Sequence, residues 1–443
     1  MEEKILELLK DRKFYELKEL LETLNPADIA SLFDDIPMEE VLIVFRLLPK
    51  ETAADTFVEL DNDNQEYLIK AFSDQELKDV LDLLFVDDTA DLVEEMPANV
   101  AKRVLKHTDA ATRKLINEIL KYPEDSAGSI MTTEFVSLKK DMSVLDALNK
   151  IKATGVDKET IYTCYVTDNK KKLIGLVSTK DILLSDMDEI IGDIMETNII
   201  YTHTLADQED VVKMFDKYDL LAIPVVDKED RLIGIITVDD AIDVIREENT
   251  EDFEKMAAMM PSEESYFKTS AFVHAKNRIM WLLFLMLSAT MTQAVITHYE
   301  AAFATVPLLV AFIPMITGTG GNCGSQSSTM IIRGLALDEI EPKDILKAML
   351  KESEIGILVG IALAVVNGVR IMLFYHDFIL ALVLGLTLIA TIVMSKLMGC
   401  VLPIAAKKLK LDPAIMAAPL ITTLVDTCSI LIYFNIALWI MNL

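Results

Sequence analysis

Beyond about residue 263 the chain is built of long apolar runs, near 279–297, 303–332, 355–375, 378–402 and 413–441. Each is long enough for the roughly 20 helical residues that cross ~30 Å of hydrocarbon, so five membrane helices are predicted. Upstream the pattern shortens. Over 1–124 apolar residues recur at spacings of three and four, in pieces punctuated by "NP", "IP", "LP" and "MP". "NPADIASLFDDIP" at 25–37 is loosely echoed by "VDDTADLVEEMP" at 86–97. Repeated short helix–turn–helix units of this kind stack into a superhelix.

Residues 125–249 carry a clearer duplication. "SAGSIM" (126–131) returns as "GDIM" (192–195), and "CYVTDNKKKLIGLVSTKDIL" (164–183) as "IPVVDKEDRLIGIITVDDAI" (223–242), with Gly175 and Gly234 in equivalent places. Each copy reads as apolar strand, polar turn, "LIG" strand and a hydroxyl-capped helix, with Thr179 before Asp181 and Thr237 before Asp240. Between this module and the first apolar run, Ile245, Phe253, Met256 and Met260 fall on one face of a predicted helix, with Glu247, Glu248, Glu251, Asp252 and Glu254 largely elsewhere. Two readings stay open for this acidic segment, a transmission element and a solvated connector.

Charge sharpens the division. The chain of 443 residues has a formal net charge of −29 although 52% of it is hydrophobic. Residues 1–262 hold 30 Lys and Arg against 59 Asp and Glu, and residues 263–443 hold 12 of each. The whole excess therefore belongs to the N-terminal part. Lys268, Lys276 and Arg278 precede the first apolar run. Arg333, Lys343, Lys347 and Lys351 follow the second, and Lys407, Lys408 and Lys410 follow the fourth. The other loops are nearly free of such residues, which predicts a cytoplasmic N-terminus and an external C-terminus. The opening "MEEKILELLKDRK" is charged throughout and is not a signal peptide. Cys164, Cys323, Cys400 and Cys428 form no CxxC pair and the five histidines do not cluster, which argues against a zinc site or a disulfide framework.

Candidate chemistry lies inside the apolar runs. A charge at mid-bilayer is costly and is retained where it faces a pathway or a partner. Asp426 is such a charge, and Thr422, Asp426, Ser429 and Tyr433 form a polar stripe at helical spacing. Pro419 has no amide hydrogen to donate, so the carbonyl of Ile415 is expected to be freed. Carbonyls beside a carboxylate suit a cation; the other reading is a protonated Asp426 bonded to a neighbouring helix. In "PMITGTGGNCGSQSS" (314–328), Pro314 and the four glycines between 318 and 324 are expected to break or kink the second span. Asn322 and Gln326 would line a polar path or a tight helix contact there. No GK[ST] follows, and Cys323 stands where GxGxxG needs glycine, so this is no nucleotide loop. No nucleophile–base pair or nucleotide loop points to an enzyme. One carboxylate per subunit cannot strip a divalent ion, but two meeting on an axis would hold a hydrated Mg²⁺ through its waters. Co²⁺, Mn²⁺ and Ni²⁺ suit the same oxygens.

The duplication with "STKD" and "TVDD" resembles a pair of CBS domains, whose nucleotide contacts would fall at Lys180 and Asp181 and imply ATP. With "SAGSIM", "GTGGNCGSQS" and "DPAIMAAPLITTLVD", the chain resembles the MgtE family of magnesium channels over essentially its whole length. The resemblance implies a multidomain fold: an all-α superhelix (1–124), a tandem α/β CBS pair (125–249), an acidic connecting helix (250–269) and an all-α membrane domain of five transmembrane helices (270–443). It implies a homodimer in the cell (inner) membrane, embedded in the lipid bilayer, with no nucleic-acid partner, conducting Mg²⁺ and closing when internal Mg²⁺ is high. A broader carrier or exchanger of divalent cations is the alternative. The filter residues would be Asp426 and the Thr422 carbonyl. Regulatory Mg²⁺ would fall on Asp87, Asp91, Asp207, Glu209, Asp219, Asp240, Asp243, Glu248, Glu251, Asp252 and Asp412. The chain departs from the family pattern at Ala417 and Ala418, where Asn or Gly is usual, and at Ser429, where Gly is usual.

Overall fold

The computed structural model describes residues 2–262, 266–267, 269–300, 306–416 and 418–442. Ala417 and Lys268 lie outside them. The chain divides into two compact units, residues 1–245 and 246–443.

The first unit opens with short helices: α1 (Glu2–Lys10), α2 (Phe14–Leu21), α3 (Pro26–Phe33), α4 (Met38–Phe45), α5 (Lys50–Val58), α6 (Asn62–Ala71), α7 (Asp74–Leu81), α8 (Val86–Glu95), α9 (Ala98–His107) and α10 (Ala110–Ile119). Their starts follow from sequence. Pro26 occupies the first position of α3, where no amide hydrogen is needed. Ser73 and Glu76 form a reciprocal capping box on α7, and Asp61 and Asp109 cap α6 and α10. Each helix is too short to stand alone and buries a narrow stripe, such as Leu77, Val80 and Leu81 on α7. α3 packs on α5, α4 on α6, α5 on α7 and α7 on α9, so one core runs from Ile5 to Val104. This is the predicted all-α N-terminal domain.

Two three-stranded sheets follow: β1 (Phe135–Lys139), β2 (Thr160–Thr167) and β3 (Leu173–Ser178), then β4 (Thr202–His203), β5 (Ala222–Val226) and β6 (Leu232–Thr237). In each the first strand runs parallel to the second and the third antiparallel. Helices α11 (Val144–Thr154), α12 (Thr179–Leu184), α13 (Ile191–Ile194) and α14 (Gln208–Tyr218) surround them. The duplicated motifs are crossed relative to their order in the chain. Thr132 bridges Ile235, Gly128 N donates to Thr204 O, and Met131 lies against Gly234, so "SAGSIM" completes the second sheet. Glu196 bridges Leu176 and Met195 lies against Gly175, so "GDIM" completes the first. A Cβ at Gly234 would run into the Thr132 carbonyl oxygen and the Met131 thioether, and one at Gly175 into the Met195 thioether. Ser178, not Thr179, caps α12.

α15 (Val238–Met256) begins well before the predicted connecting helix and ends earlier. Met260 lies past its end, donating its amide to Asn277 O, and Phe253 is exposed. The predicted apolar stripe through Met260 is therefore not formed.

The second unit holds α16 (Ala271–His298), α17 (Ile313–Ala336), α18 (Ile345–Phe374), α19 (Phe378–Lys408) and α20 (Ala418–Met441). Among the described residues, four stretches, containing α16, α18, α19 and α20, are long and apolar enough to cross a membrane. α17 has 24 residues but falls short in apolarity because of its glycines and hydroxyls. α19 is central, packing on α17, α18 and α20, whereas α16 packs on α20 and buries no residue fully.

The sequence predicts a break or kink in the second span; over its described residues a 3₁₀ turn (Pro307–Phe312) runs into α17, and no break falls at the glycines. α17 is continuous, with Pro314 in its first turn and the glycines in its interior. Gly320, Gly321 and Gly324 serve close approach instead, whereas Gly318 faces open space. A Cβ at Gly320 would meet Thr391, Ser429 and Val425 within 3.0 Å, and one at Gly399 of α19 would run into the carbonyl oxygen of Gly324. Gly399→Ala is expected to cost about 1–3 kcal/mol through overpacking, read as a fall in the thermal midpoint of the purified protein.

Candidate functional site

Asp426 stands two turns into α20 and is partly exposed. Its flanking hydroxyls are engaged locally: Thr422 and Thr423 donate to Pro419 O, and Thr427 lies 2.7 Å from Thr292. No bond from the Asp426 carboxyl to a neighbouring helix occurs among the described residues. The predicted stripe divides. Thr422 and Asp426 remain accessible, whereas Ser429 is buried against the Gly320 position and Tyr433 is buried with its hydroxyl donating to Leu309 O at 2.9 Å. Ser429 and Tyr433 are therefore packing residues. Pro419 is the second residue of α20, where a missing amide hydrogen breaks nothing, so it does not open a carbonyl ligand inside the helix. Gly321 of α17 abuts Thr422, at 2.9 Å from a would-be Cβ to Thr422 Cγ2. Asn322 and Gln326 are on the exposed side of α17.

Farther toward the start of α20, Asp412 accepts the amide of Ala414 and forms a 2.7 Å ion pair with Lys255, which also pairs with Glu251 at 2.7 Å. Burial pulls the Lys255 ammonium down, but the two carboxylates outweigh it and the net shift is upward. Two of the predicted Mg²⁺-binding acids are thus held by a lysine that the sequence reading passed over.

In the first unit a second acidic site forms where α8 meets the CBS pair. Asp87 and Asp88 of α8 lie near Glu134, Glu159, Asp239 and Asp240, and Asp91 stands at an exposed edge of the same group. Glu134 accepts the amide of Val86 at 3.0 Å, and the Thr237 hydroxyl donates to Asp240. Asp87 Oδ1 and Glu159 Oε2 are buried without a hydrogen-bond partner. Burial first, then the neighbouring carboxylates, raises Asp87, Asp88 and Asp240 to about 7 and Glu159 to about 8. Carboxylates crowded out of water in this way take up either protons or a cation. Asp87, Asp91 and Asp240 belonged to the sequence expectation; Asp88, Glu134, Glu159 and Asp239 did not, although "VDD" at 86–88 and "VDD" at 238–240 were visible as acidic pairs.

Asp207, Glu209 and Asp219 serve local roles on α14. Asp207 caps α14 through the Glu209 amide, Glu209 pairs with Lys213 at 2.8 Å, and Asp219 closes α14 in the left-handed conformation. Asp243, Glu248 and Asp252 lie along α15. Asp181 is tied to Ser178 at the cap of α12, with Lys180 exposed beside it. Among the described residues, no three His, Cys, Asp or Glu side chains converge as a protein-only metal site. The four cysteines are free.

Comparison with known proteins agrees with this division. Residues 313–436 match the family model described as MgtE, divalent cation transporter. Residues 24–125 match the MgtE intracellular N domain, and 127–188 and 191–247 match CBS domains. The magnesium transporter MgtE of Bacillus subtilis is 34% identical over 98% of this chain and 96% of its own length. That of Thermus thermophilus is 34% identical over 99% and 98%. A crystal structure of the cytosolic domain of the Mg²⁺ channel MgtE in complex with ATP superposes with a TM-score of 0.53 at 35% identity, covering 55% of this chain and all of that one. With 34% identity to two magnesium transporters named MgtE over nearly the whole of both chains, the chain belongs to the MgtE family of magnesium transporters.

Proposed function

We propose that this chain is a Mg²⁺ channel or transporter of the cell membrane that works as a homodimer and is closed by internal Mg²⁺. The observation that carries the reading is Asp426, an accessible carboxylate one turn above Thr422 on an apolar helix of 24 residues. Two copies facing each other on an axis hold Mg²⁺ through its water shell, which the ion gives up reluctantly. Five helices cross the membrane, the glycine-rich α17 among them, with the N-terminus cytoplasmic and the C-terminus external.

The acidic group at Asp87, Asp88 and Asp240 takes up Mg²⁺ when it is plentiful and so favours the packed state of the N and CBS domains. Asp91 shares that role, and Asp207, Glu209, Asp219, Asp243, Glu248, Glu251, Asp252 and Asp412 are further carriers of regulatory Mg²⁺. The CBS pair accepts ATP near Lys180 and Asp181, as the ATP complex of the similar cytosolic domain suggests. Carriage of Co²⁺, Mn²⁺ or Ni²⁺ is the second reading, favoured by the all-oxygen character of the site. Growth of a Mg²⁺-auxotrophic host on low external Mg²⁺ tests transport: the chain should restore growth, and failure despite normal membrane abundance would refute it.

Lys255 gives a sharper prediction for regulation. Its ammonium occupies the carboxylates of Glu251 and Asp412, so Lys255→Ala should leave them to Mg²⁺ and lower the internal Mg²⁺ that closes the pore by about tenfold. A higher closing concentration would instead identify the lysine itself as the closing contact.

A further inference from the structure

α17, α18 and α19 meet at one buried polar point that neither the pore nor the sensor uses. Lys396 of α19 is 5% exposed and Glu352 of α18 is 9% exposed. The Lys396 ammonium donates to Ser327 Oγ of α17 at 3.1 Å and lies 3.5 Å from Glu352 Oε2. The Ser327 hydroxyl in turn donates to that same carboxylate oxygen. A carboxylate and an ammonium at this depth in an apolar bundle are costly to keep unless they pair, and intramembrane ionisable groups mark function more often than packing.

The surroundings fix what this pair controls. Gly356 is one turn beyond Glu352, and a Cβ there would lie 3.1 Å from Val393 Cα and 3.5 Å from Lys396 Cδ. Gly399 lies nearly one turn beyond Lys396, and a Cβ there would run into Gly324 O and lie 3.1 Å from Ser327 Cβ. α19 therefore closes on α18 before Lys396 and on α17 after it, so the pair lies between two close helix contacts. The next residue, Ser328, donates to Met416 O at 2.9 Å, just ahead of α20. On the same helix Gly321 and Gly324 form the bed for Thr422 and Ile421. The register of α17 thus sets where Thr422 and Asp426 stand.

We propose that Glu352, Lys396 and Ser327 are positioning residues for permeation: their buried ion pair and shared hydroxyl hold the glycine-rich helix in the register that places Asp426. The proposal rests on Asp426 being the conducting carboxylate. Asp426→Asn, run in parallel, separates the two ideas: wild-type flux in that variant would sink the pore reading, whereas abolished flux there with wild-type flux in Ser327→Ala would sink the clamp alone.

The test is Mg²⁺ uptake by liposomes carrying the full-length protein, with maximal flux, half-saturating Mg²⁺ and the Mg²⁺-over-Na⁺ preference measured separately. Glu352→Met with Lys396→Met removes both charges and leaves no unpaired ion, so folding is expected to survive. Its maximal flux should fall at least about tenfold, with a weakened Mg²⁺ preference, while the thermal midpoint stays near wild type. Ser327→Ala keeps the ion pair but cuts its link to α17. It should fold normally, shift half-saturation and preference in the same direction, and lower flux by about threefold or more. Wild-type flux and preference in Ser327→Ala or in a folded double variant would overturn the proposal. Should the double variant not fold, Ser327→Ala alone decides.

Discussion

Asp426→Asn is expected to lower Mg²⁺ uptake at least about 100-fold, equivalent to ~2.7 kcal/mol on the barrier, without loss of membrane abundance. The substitution keeps the shape and removes the charge. Asn offers a single carbonyl oxygen and an amide that repels a cation, so the hydrated ion loses its counter-charge in a region where water compensates poorly. The local packing is insensitive to the change, because the buried neighbours Val425, Ser429 and Ile430 are untouched and the carboxyl makes no bond to another helix among the described residues. Asp426→Glu should retain part of the flux, since it keeps the charge and moves it by one methylene. Uptake reported by an entrapped Mg²⁺ indicator in liposomes distinguishes these outcomes.

The second large effect is expected in the acidic group of the first unit. Replacing Asp87, Asp88 and Asp240 by Asn should leave the packed state standing without Mg²⁺, lower the internal Mg²⁺ needed for closure by about tenfold or more and weaken the pH dependence of closure. The sign follows from linkage. Burial and mutual repulsion raise these carboxyls to about 7 in the packed state, against an ordinary value of roughly 4 when exposed. The packed state therefore binds more protons, and its stability is present below about pH 4 and falls as pH rises toward 7. At pH 8 without Mg²⁺ the α8–CBS packing should be loosest, and millimolar Mg²⁺ should restore it. Amide exchange of α8 at pH 5 and pH 8, with and without Mg²⁺, measures this. Exchange equally slow in all four conditions would contradict it.

Much of this architecture was legible because its signals are local. Long apolar runs, short periodic helices between prolines and a repeated "LIG" strand each constrain the chain within a few dozen residues. The features that escaped are those whose partners lie far apart. Ser327, Glu352 and Lys396 come from three helices, 25 to 69 residues apart, and no spacing rule joins them. Lys396 did lie inside the predicted fourth span, where a lone charge in an apolar run was the available signal. "SAGSIM" and "GDIM" were paired by order, whereas Gly234 and Gly175 show that each completes the other copy's sheet. The glycines of α17 suggested a break when read alone. The space beside Gly320, Gly321 and Gly324 proves to be filled by α19 and α20, an effect of packing that local propensity does not contain. Of the expected regulatory acids, Asp87 and Asp240 converge, whereas Asp207 and Glu209 serve a helix cap and a local ion pair.

Current through a planar bilayer containing the purified protein, with Mg²⁺ as the sole permeant cation, bears most directly on whether one acidic side chain per subunit carries the ion. Wild-type protein should pass a Mg²⁺ current that declines as Mg²⁺ on the cytoplasmic face is raised, and Asp426→Asn should pass none. A current of wild-type size in Asp426→Asn would contradict the account.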